Sequence, residues 1–349
     1  VTTVDDQPAA SDDAPGLASA VVARLPGLAL LVLVALAARA AGLFVPGVNA
    51  LLASVAIGII VVNVVGVPDV LDPGVATHKL WLETGIVLMG ARISVESLLG
   101  AGVELTLLVV VAAAGMVLLV EALSRTLFDV PRELGALLAA GSGICGVSAV
   151  AGVAGSIRAN EDHVAYATAT ILLFDAVTLF VYPVLGSVLS LSDQVFGVWA
   201  GLTMFSTGPV TAAGFAFSET AGHWATVTKL TRNLLLGVLV GVYSLRYAEG
   251  ERGASAFSPR ALWASFPKFV LGFFAVMVLT STALVSPTTT EQLTNAYQWL
   301  FLVAFAGLGL SVDVEDLLNT GARPVALVCT AFVVGSAALL VLVGLLFGA

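Results

Sequence analysis

The chain has 349 residues, of which 59% are hydrophobic and 11% charged, and its formal net charge is −9. A soluble domain carries about 25% charged residues, so this composition, with a mean hydropathy of +1.04, excludes a soluble globular protein. The acidic balance also excludes a basic nucleic-acid-binding surface, and at roughly 20 apolar residues per span the length accommodates about ten to twelve membrane helices in one domain.

The first 25 residues, with Asp5, Asp6, Asp12 and Asp13 among Ala, Ser and Pro, lack the basic start and apolar core of a signal peptide. They read as a disordered acidic tail, 1–25, ahead of a single transmembrane domain, 26–349. Eleven apolar segments follow, at residues 28–44, 49–65, 80–93, 105–123, 134–157, 163–189, 195–217, 225–245, 269–285, 297–312 and 324–347. The predicted fold class is an all-α polytopic membrane protein with inverted repeats and discontinuous helices at mid-membrane. If the spans alternate, one side collects Arg24, Lys79, Arg125, Arg132, Arg246, Arg252, Arg260, Lys268 and Arg323, and the other only Arg92 and Arg158. Basic loops stay cytoplasmic, which predicts a plasma-membrane protein with its N-terminus inside and its C-terminus outside.

The third segment carries Glu83 near its start, and its end repeats in the tenth: Gly90, Val95, Glu96, Leu98, Leu99 and Gly102 recur 219 residues later as Gly309, Val314, Glu315, Leu317, Leu318 and Gly321. Under the alternation these segments run in opposite directions, as an inverted repeat requires. A second similarity, GSGICG from Gly141 against GLTMFS from Gly201, has an offset of 60 and joins segments that run the same way, so one duplication does not generate both. Glu121 falls near the end of the fourth segment and reads as interfacial. Arg39 lies deep in the first and calls for a carboxylate partner, whereas His78, His163 and His223 fall at helix ends.

The fifth segment holds the run GSGICGVSAV. A helix interrupted in hydrocarbon must face protein or water, and such breaks mark substrate sites in transporters. If the helix stops near Ser142 and Gly143 and restarts after Cys145, the second half offers the free N–H groups of about Gly146 to Ser148 and roughly half a positive charge from its dipole. Ser142 and Ser148 add hydroxyls. The competing reading is that these small residues only let helices pack closely. In the seventh segment Thr203 and Ser206 precede Gly208-Pro209, a pair that breaks a helix. In the eighth, Thr226, Lys229, Arg232 and Asn233 share one helical face, with Arg232 expected to fork onto anion oxygens and Lys229 to act as a point charge, unless both snorkel to the interface. Asp175, inside the sixth segment, is either the coupling proton carrier or the partner of one of these cations.

The runs GSGICGVSAVAGVAGSIRA, GIVLMGARIS and AAGFAFSETAGHWATVTKLTRNLLL together resemble the YeiH-type family of membrane proteins, whose name assigns it to sulfate export. The resemblance covers residues 80–321 in order. It implies a fold similar to the bile acid symporters and sodium/proton antiporters, with discontinuous helices crossing at mid-membrane. Where that family usually reads close to S-I-H-(Asp or Glu)-x-A-Q-V, this chain has Thr203 to Val210 without the imidazole, carboxylate or glutamine. The implied function is a secondary transporter of a small oxyanion such as sulfate, sulfite or an organosulfonate, with Ser142, Gly143, Cys145, Gly146, Ser148, Thr203, Ser206, Lys229, Arg232 and Asn233 as substrate residues. A cation/proton antiporter using Asp175 is the alternative, and a membrane enzyme or a non-transporting scaffold is the third reading. No Walker sequence, dinucleotide fingerprint or metal-ligand spacing is present, so no enzyme activity, cofactor or metal is expected. The partners are the bilayer and a small anion, with oligomerisation left open.

Overall fold

The computed structural model describes residues 17–93, 95–247, 263, 266–282, 285–315 and 321–348, and all regular structure among them is helical. The acidic stretch from Asp5 to Asp13 and residues 248–262, between the eighth and ninth apolar segments, lie outside the described residues. Helix α1 runs over Leu17–Phe44, so residues 17–25, assigned above to the tail, are helical. Helix α2 is Ala50–Ile60, begun by Asn49, whose side chain accepts from Leu51 N and Leu52 N at 2.9 and 3.3 Å. A π turn at Val61–Val65 continues it. After the short α3, Asp72–Val75, comes α4, His78–Met89, and then α5, Val95–Thr126. Helices α6, Arg132–Gly143, and α7, Val147–Ile157, precede the long α8, Glu161–Val188. Helices α9, Asp193–Thr203, and α10, Thr207–Phe217, are followed by α11, Glu219–Asn233, and α12, Leu236–Tyr247. The chain ends with α13, Phe269–Ser281, α14, Pro287–Leu310, and α15, Ala322–Phe347.

Among the described residues, six helical stretches are long and apolar enough to cross a membrane: Val21–Phe44, Gly102–Thr126, Glu161–Val188, Glu219–Tyr247, Thr288–Leu310 and Ala322–Phe347. Their outer faces carry exposed Leu33, Leu107, Val184 and Leu345, the reverse of a soluble surface and the arrangement a bilayer requires.

Both broken segments are present, but neither continues in one direction after its break. At residues 144–146 the chain folds back, with Gly146 N donating to Gly141 O at 3.0 Å. A methyl group on Gly141 would meet Cγ2 of Val150, in α7, at 3.0 Å. Glu133, in the first turn of α6, accepts from Asn160 N at 3.4 Å and pairs with His163 Nδ1 at 3.2 Å, just past the end of α7. The α6–α7 unit therefore enters and leaves at one end of the bundle. Helices α9 and α10 do the same from the other end: Phe196 and Phe217 stack with ring centroids 4.0 Å apart, and both press on Gly186 near the end of α8. Gly197 of α9 and Gly214 of α10 both pack on Ala221 of α11. Helices of 12 and 11 residues rise about 1.5 Å per residue, roughly half of a ~30 Å hydrocarbon core. The tips therefore meet near its middle. The sequence alone takes each as one crossing because a re-entrant pair and a broken span share length and composition.

This topology has a direct check. In a protein whose Cys145 and Cys329 are replaced by serine, Leu127→Cys and Glu161→Cys are expected to react with a membrane-impermeant maleimide from the same side, and Leu189→Cys from the opposite side. Labelling of residues 127 and 161 from opposite sides would restore a crossing at residues 134–157.

The repeat at offset 219 extends beyond its sequence match. Gly58 of α2 packs on Gly309 of α14, and Met277 of α13, 219 residues after Gly58, packs on Gly90 at the end of α4. The rest of the repeat is permuted in the chain. Helix α6 packs on α5 and α8, as α9 packs on α15 and α11, and α7 meets α12 as α10 meets α8. The second unit's hairpin thus precedes its other helices, and the tips align at an offset of 60 because they enter from opposite ends.

Two charged side chains depart from expectation. Arg39 places its guanidinium carbon 4.5 Å from the centroid of the Trp299 ring, a cation–π contact in place of a carboxylate. Glu121 is buried, only 7% exposed. Its carboxylate accepts from Tyr243 OH at 2.7 Å and from Arg125 Nη2 and Arg246 Nη1, both at 2.8 Å. Glu121→Gln, which turns an acceptor toward these donors into an N–H group, is expected to cost about 1.5–3 kcal/mol, read as a lowered unfolding temperature in detergent.

Candidate functional site at the hairpin tips

Where α6 and α9 stop, their last carbonyls have no partner in their own helices. In a water-free interior each would cost several kcal/mol. Lys229 and Arg232, one turn apart on α11 and both fully buried, satisfy them. Lys229 Nζ donates to Ile144 O at 2.7 Å, to Met204 O at 3.1 Å and to Phe205 O. Arg232 Nε donates to Gly143 O at 2.6 Å, Nη1 to Leu202 O at 2.7 Å and to Met204 O at 3.0 Å, and Nη2 to Ser142 O. An ammonium has three donors, and all three of Lys229 are used. The expectation that these two side chains grip an anion directly is therefore corrected: all three donors of Lys229 and four of the five of Arg232 are turned to backbone carbonyls, and both side chains are fully buried and do not snorkel.

The restarting helices face the other way. Gly146, in a backbone conformation with φ +65° and ψ −134°, leads into α7, and a methyl group there would stand 2.0 Å from Ser206 Oγ at the opposing tip. Glycine is required by both the dihedral and the approach. Asp175, on α8, is 3% exposed and accepts from Ser206 N at 3.0 Å through Oδ1, so a carboxylate caps the start of α10. Its Oδ2 has no hydrogen-bond partner. Asp175 is therefore not ion-paired directly with Lys229 or Arg232. Asn233 donates through Nδ2 to Thr207 Oγ1 at 3.1 Å, and the other end of its amide has no partner.

A cavity of about 830 Å³ adjoins the tips, between the hairpin block and α2, α4 and α14. Of the substrate residues expected from sequence, Cys145, Ser148, Ser206 and Asn233 line it, as does Asp175. Gly146 lies just behind them as the hinge of the tip. The others do not reach it. Ser142 is buried with an unpartnered hydroxyl, Gly143 serves through its carbonyl, and Thr203 bonds Trp199 O at 2.6 Å and accepts from Tyr182 OH at 2.8 Å. That Tyr182 also bonds Ser336 on α15 at 2.8 Å, bracing the second hairpin from behind. Sequence reasoning missed Thr207, Gly208 and Pro209 at the start of α10, and Glu83, Leu82 and Ile86 on α4. Glu83 lies one turn into the helix beyond exposed Lys79, which with exposed Lys268 stands at the cavity's mouth. The Gly208-Pro209 break was a legible signal for α10, whereas the α4 wall was not, because its apolar residues carry no signature.

No solved structure matches this fold closely enough to be recognised as similar. The family model described as conserved hypothetical protein 698 matches residues 26–328. A UPF0324 membrane protein of Nitratidesulfovibrio vulgaris is 33% identical over 318 residues, covering 87% of this chain and 88% of that protein. A UPF0324 membrane protein of Corynebacterium glutamicum is 31% identical over 302 residues, 86% of either chain, and one of Streptococcus agalactiae is 29% identical over 316 residues, 87% of this chain and 92% of that one. Two hairpins meeting tip to tip, stitched by the lysine and arginine of the KLTR run, are thus the frame on which the ICGVSA motif sits, and the chain belongs to the conserved hypothetical protein 698 family of multi-pass membrane proteins.

Proposed function

We propose that this protein is a secondary transporter that carries a small oxyanion, such as sulfate, sulfite or an organosulfonate, across the cell membrane. One observation carries the reading: the N-terminal ends of α7 and α10 line a single cavity at mid-protein, while the C-terminal ends of α6 and α9 are covered by buried cations. Counting about half a charge at each helix end, the four ends cancel. Lys229 and Arg232 against Asp175 then leave a net charge of about +1 beside the cavity. An anion there meets free N–H groups directly and the two cations at one remove, in a medium where water screens little.

The doubled-back hairpins also sharpen the orientation. With residue 158 on the same side as residues 125 and 132, Arg24, Lys79, Arg125, Arg132, Arg158, Arg246, Lys268 and Arg323 stand against Arg92 among the described loop residues. Under the rule of basic cytoplasmic loops, this distribution supports an orientation with the N-terminus inside, the C-terminus outside and the mouth at Lys79 and Lys268 toward the cytoplasm. As a carrier, the protein performs no covalent chemistry.

Purified protein in liposomes is expected to take up labelled sulfate saturably, in competition with sulfite and organosulfonates and in response to an imposed pH or sodium gradient. Sodium-dependent proton movement without any anion flux, abolished by Asp175→Asn, would replace this reading with cation/proton antiport.

A further inference from the structure

We infer that the solute is an organic zwitterion, an amino-sulfonate or amino-carboxylate, whose ammonium group is held by Asp175 while its oxyanion sits at the starts of α7 and α10. The inference rests on the anion reading above and narrows it.

The cavity contains two unlike demands. Helices α7 and α10, each of 11 residues, present N–H groups without partners in their own helices and call for an acceptor. Between them, Asp175 is 97% buried by its 3% exposure, yet only Oδ1 is occupied, by Ser206 N. Oδ2 has no donor. A buried carboxylate oxygen left unpaired is costly, more so than a neutral acceptor. The nearby cations do not supply the missing bond, since Lys229 has spent every donor and Arg232 points its fork at the tip carbonyls. A small anion alone satisfies the helix ends but sets a second negative charge beside Asp175. A solute carrying both an oxyanion and an ammonium satisfies both.

Size and lining point the same way. The cavity's 830 Å³ lies within the roughly 300–1,000 Å³ typical of organic-ligand sites, far more room than an inorganic tetrahedral anion fills. Its walls include Val55, Ile86, Leu179, Phe269, Phe305 and Leu308, apolar surface suited to a carbon skeleton. The free end of the Asn233 amide, beside Thr207, adds a polar contact on the same floor.

The test compares ligands that differ at one group. Binding of 2-aminoethanesulfonate, 2-hydroxyethanesulfonate, ethanesulfonate and sulfate to the purified protein is measured by calorimetry, and uptake of each into liposomes is followed in parallel. The amino compound is expected to bind at least tenfold more tightly than the hydroxy compound. Asp175→Asn is expected to abolish that preference while ethanesulfonate binding is kept, and Glu161→Gln, at an exposed position outside the cavity, to leave the preference intact. Equal affinity of the wild-type protein for the amino and hydroxy compounds overturns the zwitterion and leaves the anion reading standing. A preference that survives Asp175→Asn or vanishes with Glu161→Gln overturns the assignment of Asp175. Failure of all four compounds to bind removes both readings.

Discussion

Replacing Arg232 with leucine is expected to deprive the protein of its folded state, not merely of transport. The guanidinium bonds the carbonyls of Ser142, Gly143, Leu202 and Met204, which belong to two different hairpins and have no water to turn to. Removing one partner of a buried charged network typically costs about 3–5 kcal/mol, and the whole stability of a domain is only about 5–15 kcal/mol. Low yield, aggregation in detergent and loss of a cooperative thermal transition are the expected results. Arg232→Lys keeps the charge but loses the planar fork, so a single ammonium no longer serves both hairpins and an intermediate loss is expected. If Arg232→Leu instead folds with an unchanged melting temperature and only fails to transport, the residue touches solute and its assignment to the backbone is wrong.

Gly146→Ala is expected to be the next most damaging change. The residue sits at φ +65° and ψ −134°, a region that costs a side-chain-bearing residue of order 1–3 kcal/mol. The new methyl group would also stand 2.0 Å from Ser206 Oγ. Together these force the tips apart, and transport should fall below detection even where the protein is recovered. Adding Ser206→Gly removes the collision but not the dihedral strain, so the double variant should regain part of the stability and less of the activity. Full additivity of the two single changes in a double-mutant cycle would mean that the tips do not touch.

What could be read from the sequence divides along a physical line. The breaks in both hairpins were legible because Gly146, Gly208 and Pro209 act on the local backbone, and local chemistry is written in adjacent letters. The reversal of direction was not, since it depends on Glu133 reaching His163 and on Phe196 stacking upon Phe217. Arg158 on the wrong side of the charge tally and the offset of 60 between the tips were its two traces. Likewise the polar stripe of α11 was visible as a stripe. That Lys229 and Arg232 face carbonyls in place of a solute was not, because every residue carries a carbonyl and none is marked as unpaired. Glu121 looked interfacial because Tyr243 and Arg246, more than a hundred residues later, complete its surroundings.

Because a single rod, α11, fastens both tips, neither can swing open alone without tearing several charge-assisted bonds at once. The two hairpins with α11 form one stiff carriage, and the chamber lies along its seam with α2, α4 and α14. On the proposed carrier reading, opening the chamber to the far side would have to move the two tips and α11 together against α2, α4 and α14.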